Sequence, residues 1–335
     1  MATAWFLLIL LCLLMFVVLD GYDLGIGVAT LIERDAQRRR DMLELVAQAW
    51  DANESWLVLA AVALWAGFPL AFGAILPNTY LALTVMLLSL IVRGISVEMA
   101  SQAPPAPKWE RAFGVASLAA ALAQGVVLAS LTANLTVVNG AYSGSPFGSI
   151  GWFSVLVVAT VTCGYLALGY AYTKGKTAGD LRAHAGRRGT VTTALTSVLA
   201  AGCLVAVNGT AAPLNLHSPA RAIAFAGLLL FAAIGVVTAL VTLRPTSSSD
   251  SAPITGLATA TVALAIAVVV ARYPILIPPA LTLNDTVSPP ATMVFLAVGI
   301  GLNVPLLFFY NWFAHRAFKG KLLSAHENRD LSEAR

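Results

Sequence analysis

Near its start the chain carries a long apolar run with two carboxylates inside it: residues 4–31 read AWFLLILLCLLMFVVLDGYDLGIGVATL. A membrane-spanning helix needs about 20 consecutive apolar residues, so this run predicts a first span. Asp20 and Asp23 fall within it, although moving a carboxylate out of water is costly unless it is paired or protonated. The segment therefore predicts both a membrane fold and a site at which acidic side chains serve a function.

Composition places the whole chain in a membrane. Of its 335 residues, 59% are hydrophobic and 11% are charged, and the mean hydropathy is +0.82. Soluble domains contain about 25% charged residues. The net charge of +4 gives no indication of nucleic-acid binding, because the basic residues are confined to the loops between apolar segments.

Nine apolar segments are candidate spans, and they predict an all-α integral membrane protein. The segments are 4–31, 54–75, 78–97, 112–133, 152–173, 190–208, 222–243, 254–271 and 292–314. We expect a tight turn at Leu76-Pro77-Asn78 to join the second and third. Residues 1–321 then form a single transmembrane domain, and residues 322–335 form a polar cytoplasmic tail.

Basic residues predict the orientation of these spans, because cytoplasmic loops are enriched in Lys and Arg. All but two of the 20 Lys and Arg residues, Arg221 and Arg272, lie at or beyond the ends of odd-numbered spans. This asymmetry predicts an N-terminus outside and a C-terminus in the cytoplasm. It also places Asp20 and Asp23 toward the cytoplasmic side of the membrane.

A second acidic motif, WDANESW at residues 50–56, opens the second span. Asp51 and Glu54 are three residues apart, as are Asp20 and Asp23, so each pair shares one face of a helix. Close, partly buried carboxylates favour the binding of a proton, which predicts a cytoplasmic proton entry. The alternative is a set of interfacial helix caps, with Asp51 at the positive end of a helix dipole. The two tryptophans of the motif fit an interfacial aromatic belt in either case.

Four further residues are candidates for supporting the acidic side chains: Trp50, Asn53, Arg93 and Glu98. Arg93 and Glu98 lie at the inner end of the third span, where they can pair with each other or with the aspartates. From spacing alone, an ordinary basic anchor at a helix end is the simpler interpretation of Arg93.

The histidines argue against a haem held by this chain. His184 and His326 lie in polar stretches, His217 in an outer loop, and His315 at the inner end of the last span. A membrane-embedded haem needs an axial His or Met from a span, and Met in a helix is far more often a packing residue. We therefore expect no haem or metal ligand, and the sequence shows no zinc-binding spacing and no phosphate-binding glycine loop.

These motifs resemble subunit II of the cytochrome bd-type quinol oxidases. LDGYDLGIG at residues 19–27 is similar to a family motif of an acidic residue, Gly, an aromatic residue, Asp, an apolar residue and Gly. WDANESWL at residues 50–57 is similar to the family's W-D-G-N-E/Q-V-W-L. The stretch from Tyr273 to Asp285 resembles the last outer loop of the family, and Val304 to Tyr310 resembles the end of its last span.

The match is uneven along the chain. Ala52 and Ser55 replace the family's usual Gly and Val, and residues 110–250 match only in the pattern of spans. The short length and the Asp-Gly-Tyr-Asp form resemble the cyanide-insensitive branch of the family. Neither replacement removes a carboxylate, so the acidic motifs are kept.

The resemblance implies a heterodimer in a bacterial plasma (inner) membrane, with this chain folded as two four-helix bundles plus one peripheral helix. The partner, subunit I, would hold b-type haems and haem d (or a b-type replacement), oxidise quinol and reduce oxygen to water, generating a proton-motive force. Small single-span accessory subunits and a structural quinone or lipid are compatible with such a complex. Asp20, Asp23 and Asp51 match family positions linked to a proton route, and Glu54 matches its Glu or Gln position.

Arg93 and Glu98 match a basic–acidic pair at the end of the family's third span. Two other functions compete with the oxidase subunit: a proton-coupled transporter and a purely structural assembly subunit. Transporters usually show internal repeats and broken helices that meet at a midplane site, and the sequence shows neither. An assembly subunit would leave the acidic residues as helix ends.

Overall fold

A computed structural model describes residues 1–47, 50–102, 106–133, 137–138, 141–142, 150–210, 213–277, 281–317 and 320–321. The helices are α1 (Ala2–Ile32), α2 (Ala36–Val46), α3 (Trp50–Gly67), α4 (Pro69–Gln102), α5 (Pro107–Ala133), α6 (Trp152–Lys176), α7 (Gly179–Ala206), α8 (Pro219–Thr242), α9 (Ala252–Arg272), α10 (Leu283–Thr286) and α11 (Pro290–Ala317). Strand β1 (Val137–Val138) pairs with β2 (Ala141–Tyr142), and β3 (Ile275–Ile277) pairs with β4 (Leu281–Thr282), both antiparallel. The tail predicted at 322–335 lies outside the described residues.

The predicted all-α membrane fold is confirmed. Within the described residues, eight helices are long and apolar enough to cross a membrane, namely α1, α4, α5, α6, α7, α8, α9 and α11. The remaining predicted span corresponds to α3, which has 18 residues and carries Asp51 and Glu54 near its start. Its polar first turns leave no apolar stretch long enough to cross a membrane, so the count of nine spans stays a prediction, and so does the orientation.

The turn predicted at Leu76-Pro77-Asn78 is wrong. α3 ends at Gly67 and α4 begins at Pro69, so that only Phe68 separates them, and Pro77 lies inside α4. Proline disfavours helical backbone in the residue before it, and it is well tolerated at the first position of a helix, where its missing N–H is not needed. The break between these two helices therefore lies immediately before Pro69, the earlier of the two prolines.

The long helices pack in two groups, as expected for two bundles and a peripheral helix. α1, α3, α4 and α5 form the first group, and α6, α7, α8 and α9 form the second, with α6 lying against both α1 and α5. α11 packs against α3 at the side of the first bundle. The second half of α1 is therefore enclosed by helices of both bundles.

Glycines allow the two bundles to approach closely at α1 and α6. A Cβ atom on Gly25 of α1 would overlap the backbone carbonyl of Tyr165 on α6, and one on Gly169 of α6 would overlap the backbone of Gly25. Small residues at such crossings bring helix backbones together. As a result α1 is buried without interruption from Asp20 to Thr30.

A short helix that the sequence analysis did not predict, α2, closes one end of the first bundle. The carboxylate of Asp35 caps it by accepting hydrogen bonds from the backbone N–H groups of Gln37 and Arg38, at 2.9 and 2.8 Å, and these bonds hold the pKa of Asp35 below its usual range. The apolar side chains of α2 are buried in the same core as the second half of α1. We call this the arginine-rich end of the molecule, because it carries Arg34, Arg38, Arg39 and Arg40.

Candidate functional site

Three helices of the first bundle bring charged and polar side chains together in its interior. α1 supplies Asp20 and Asp23, α3 supplies Asn53 and Glu54, and α4 supplies Arg93. All of these except Glu54 are at most 1% exposed. We call these five residues the acidic cluster, and its members come from three segments that are well separated in the sequence.

Arg93 holds two of the carboxylates. Its Nη1 lies 2.6 Å from Oδ1 of Asp20, and its Nη2 lies 3.0 Å from Oε2 of Glu54. The other pairing that the sequence left open, with Glu98, does not occur: Glu98 is exposed and forms no ion pair within the described residues. One guanidinium group therefore bridges α1, α3 and α4, and the side chain that provides it is itself buried.

A hydrogen-bond chain links Asp23 to the end of the last helix. Nδ2 of Asn53 donates to Oδ2 of Asp23 and to the hydroxyl of Tyr22, in both cases at 2.8 Å. Nε2 of His315 lies 3.1 Å from the Tyr22 hydroxyl, and its Nδ1 lies 2.8 Å from the carbonyl oxygen of Asn311. A carbonyl oxygen only accepts, so Nδ1 carries a proton, and Nε2 shares the second hydrogen bond with the Tyr22 hydroxyl.

The acidic cluster reaches the surface through α3. Asp51, one turn before Glu54, is exposed, and the hydroxyl of Tyr310 donates to its Oδ2 at 3.3 Å. The side chain of Glu54 is 26% exposed, whereas that of Asp20 is fully buried. Exposure therefore falls stepwise from Asp51 through Glu54 to the two carboxylates of α1.

The two tryptophans of the second motif occupy different environments. Trp50 lies over Gly94 of α4, where a Cβ atom would overlap its ring. Trp56 is fully buried and meets Phe308 of α11 edge to face, with ring centroids 4.8 Å apart. The predicted interfacial belt is therefore wrong for Trp56, because α11 covers this side of α3.

Three residues complete the site although the sequence analysis did not nominate them: Tyr22, Tyr172 and His315. The Tyr22 ring stacks on that of Tyr172 from α6, with centroids 4.0 Å apart. Tyr22 stands between the two aspartates of the first motif, so its position was a usable signal. Tyr172 and His315 lie far along the chain, and only tertiary structure brings them here.

Two of the described histidines, His184 and His315, have both ring nitrogens in contact with other groups of the protein. Nε2 of His184 pairs with Glu33, and its Nδ1 faces Arg38. Nε2 of His315 contacts the hydroxyl of Tyr22, and its Nδ1 contacts the carbonyl oxygen of Asn311. Both residues also lie near the ends of their helices rather than within the membrane core. In the part of the chain that the structure describes, no group of three or more His, Cys, Asp or Glu side chains is placed to hold a metal ion.

Two carboxyl groups outside the spans bind protons more readily than they would in water. On α2, burial raises the pKa of Asp41, although Gln37 donates a hydrogen bond of 2.7 Å to it. Burial likewise raises the pKa of Glu44, and the nearby charge of Asp41 adds to the effect. The arginine-rich end therefore contains the buried carboxyl of Asp41 and the more exposed one of Glu44 as well as its basic residues.

The fold and the acidic cluster together define a class, a polytopic helical membrane protein with a buried, charged site that opens near one end of its first bundle. A family model described as cytochrome bd terminal oxidase subunit II matches residues 1–318. The chain belongs to that family, and it is a multi-pass protein of the bacterial plasma membrane.

Individual relatives match over shorter segments. The chain is 27% identical over 186 residues to the cytochrome bd-I ubiquinol oxidase subunit 2 of Escherichia coli (strain K12), covering 53% of this chain and 49% of that protein. It is 35% identical over 95 residues to the cytochrome bd ubiquinol oxidase subunit 2 of Bacillus subtilis (strain 168), covering 28% of each. The chain thus spans no more than 49% of the length of these two relatives.

A solved structure supports the fold over almost the whole chain. The structure of bd oxidase from Geobacillus thermodenitrificans aligns with a TM-score of 0.73 and 18% sequence identity, covering 95% of this chain and 98% of that chain. At this identity the likeness concerns the arrangement of helices. It agrees with the two bundles and the peripheral helix described above.

Proposed function

We propose that this chain is the subunit of a cytochrome bd-type quinol oxidase that ligates no haem, and that it carries protons from the cytoplasm toward a haem-bearing subunit I. Such an enzyme oxidises quinol and consumes protons as oxygen is reduced to water. The observation that carries the proposal is the acidic cluster, which leads from the exposed Asp51 to the buried Asp20 and Asp23. The b-type haems and the haem d (or a b-type replacement) of the partner supply the oxygen chemistry when bound.

The charge balance of the cluster favours a proton-carrying role. If all were ionised, Asp20, Asp23 and Glu54 would set three negative charges against the single positive charge of Arg93. An unpaired charge is expensive to bury, so the cluster is expected to hold protons in place of the excess charge.

The members of the cluster have different roles in this proposal. Glu54, half-way between surface and interior, receives protons at the arginine-rich end, which the enrichment of Lys and Arg assigns to the cytoplasm. Asp23 holds a proton in the interior at rest, and Asp20, which is paired with Arg93 at rest, receives a proton as it is passed on. Arg93 stabilises the ionised form of its partners when a proton leaves, and Asn53 positions the carboxylate of Asp23 by hydrogen bonding.

A structural role in assembly is the second candidate, because the contacts of Arg93 with Asp20 and Glu54 join three helices. A proton-coupled transporter receives no support from the family of the chain. Association with small single-span subunits, and the binding of a structural quinone or lipid, belong to the same oxidase proposal and stay predictions.

Substitution of Asp23 by Asn in the purified complex tests the proposal, with Glu98→Gln as a matched control. Both changes neutralise a carboxylate, but Asp23 is buried in the cluster and Glu98 is exposed near the end of α4. We expect Asp23→Asn to slow quinol-driven oxygen consumption by roughly tenfold or more, with the reduced-minus-oxidised haem spectrum unchanged. Glu98→Gln should leave both unchanged.

The conservative variant Asp23→Glu separates proton transfer from structure, because it keeps an exchangeable proton while it alters the packing. Partial recovery of oxygen consumption in Asp23→Glu supports the proton route. Loss of haem in both Asp23 variants would instead identify the cluster as an assembly element. A normal rate in Asp23→Asn would remove Asp23 from the route altogether.

A further inference from the structure

A cavity of about 480 Å³ opens at the arginine-rich end, where α1 ends, α2 begins and α7 makes its first turns. Its lining residues are Ile32, Glu33, Arg34, Arg38, His184 and Arg188. We call it the arginine pocket. None of the five residues of the acidic cluster lines it, so it is a separate feature of the molecule.

The single carboxylate in the wall of the pocket already has its partners. Oε2 of Glu33 lies 3.0 Å from Nε2 of His184, and its Oε1 lies 3.7 Å from Nη1 of Arg38. The same Nη1 lies 3.2 Å from Nδ1 of His184, and since a guanidinium only donates, Nδ1 accepts and the imidazole is neutral. Arg38 also pairs with Asp180, just outside the pocket, at 2.8 Å.

Arg34 and Arg188 therefore leave the pocket with an excess of positive charge. Both are exposed, and neither guanidinium forms a hydrogen bond or an ion pair with another described residue. Counting Glu33 and Asp180 against Arg34, Arg38 and Arg188, the excess is one positive charge. The preference for basic residues on the cytoplasmic side accounts for arginines at this end, but not for two unpaired guanidinium groups around a cavity whose carboxylate is already neutralised.

Apolar surface adjoins the pocket on both long helices that form it. At the end of α1, Leu31 and Ile32 are exposed. On α7, Val191 and Leu195 follow Arg188 at the spacing of one helix face and are 66% and 47% exposed. A phospholipid has a charged phosphate next to its acyl chains, and here charged side chains at a helix end lie next to an exposed apolar helix face. A soluble anion would not contact the apolar surface.

We propose that the arginine pocket binds the phosphate of an anionic phospholipid headgroup, with Arg34 and Arg188 as its ligands and the acyl chains along the apolar face of α7. The planar guanidinium fork matches the geometry of phosphate oxygens. A phosphodiester carries one negative charge, equal to the excess on the pocket. Basic pockets between transmembrane helices on the cytoplasmic side recognise headgroups of this kind.

The test compares two double variants that remove the same total charge. Arg34→Gln with Arg188→Gln empties the pocket of its unpaired guanidinium groups, whereas Arg111→Gln with Arg187→Gln removes two exposed arginines that do not line it. The full chain, with any subunits that accompany it, is stripped of lipid by detergent exchange and titrated with phosphatidylglycerol, phosphatidylcholine or inorganic phosphate. Bound lipid is counted by native mass spectrometry.

We expect phosphatidylglycerol to bind in preference to phosphatidylcholine, and the pocket variant to weaken this binding on the order of 30-fold. The control variant should stay within about twofold of the wild type, and millimolar inorganic phosphate should not displace the lipid. Equal weakening in both double variants would show that surface charge alone attracts the lipid and would overturn the proposal. Displacement by inorganic phosphate, or equal binding of the two lipids, would overturn the assignment to an anionic headgroup.

Discussion

Replacing Arg93 by Gln probes the energetics on which the acidic cluster depends. Arg93 is the only basic side chain paired with the fully buried Asp20 in the described chain, and the two groups approach to 2.6 Å. At an effective dielectric constant near 20, charges about 4 Å apart attract by about 4 kcal/mol. Removing one member of a buried pair costs about 3–5 kcal/mol, since the other charge is left uncompensated. We therefore expect Arg93→Gln to lower the free energy of unfolding by about 3–5 kcal/mol.

The two partners are not equivalent, and the structure predicts the difference. In Asp20→Asn, Arg93 still has Glu54 at 3.0 Å, so this variant should lose less stability than Arg93→Gln. In the double variant neither charge of the Arg93–Asp20 pair remains, and Glu54, which also loses Arg93, is 26% exposed and keeps contact with water, so much of the loss should be recovered. The coupling energy between the two residues should be about 3 kcal/mol, well above the range of exposed pairs.

An exposed pair at nearly the same distance provides the control. Arg38 and Asp180 approach to 2.8 Å, but their side chains are 29% and 68% exposed, so their coupling should stay below about 1 kcal/mol. Both cycles can be measured by unfolding the purified protein in mixed micelles with a rising fraction of dodecyl sulfate, followed by circular dichroism. Equal coupling in the two cycles, or an Arg93→Gln variant as stable as the wild type, would refute the idea that burial makes the Arg93 pair energetically important.

Two further substitutions test the packing around the site. Gly25→Ala should lower the free energy of unfolding by about 1–3 kcal/mol, because the new Cβ atom would overlap the backbone of α6. Gly73 has open space around it, so Gly73→Ala should leave the free energy of unfolding unchanged or raise it by up to about 1 kcal/mol. The same micelle titration measures both variants, and similar effects would contradict the close approach of α1 and α6. Lys174→Met removes a buried ammonium group that donates hydrogen bonds to three carbonyl oxygens at the end of α8 and in the loop after it. Protease should therefore cleave that loop faster in Lys174→Met than in the exposed control Lys108→Met. Equal cleavage rates would mean that other contacts hold the loop.

The sequence alone predicted much of the fold and the acidic core of the site, for identifiable physical reasons. Long apolar runs report spans directly, since the bilayer imposes a length on them. Carboxylates within such runs are conspicuous because they are expensive, and Asp20 and Asp23 do lie in the buried cluster. The prediction failed where two prolines offered competing breaks, and hydropathy could not decide between Pro69 and Pro77.

What the sequence could not supply was the set of long-range partners. His315 meets Tyr22 across 293 positions of the chain, and no local pattern marks either residue as the partner of the other. Arg93 offered two pairings from its spacing, and only the packing of the first bundle selects Asp20 over Glu98. These contacts depend on how helices pack, which periodicity and composition do not specify.

Among the described long helices, α3 carries part of the acidic cluster and is the one whose length and composition fall short of a membrane span. Its first turns carry Asp51, Asn53 and Glu54, and with 18 residues in all the helix has no apolar stretch of span length beside them. The same residues are needed there, because Asp23 and Arg93 in the interior have to find a donor and an acceptor on a neighbouring helix. A helix that satisfies buried charges from its neighbours cannot itself be uniformly apolar. Polar residues at the start of an otherwise apolar helix therefore indicate where the site lies. In this chain that helix is α3, through which the acidic cluster reaches the surface.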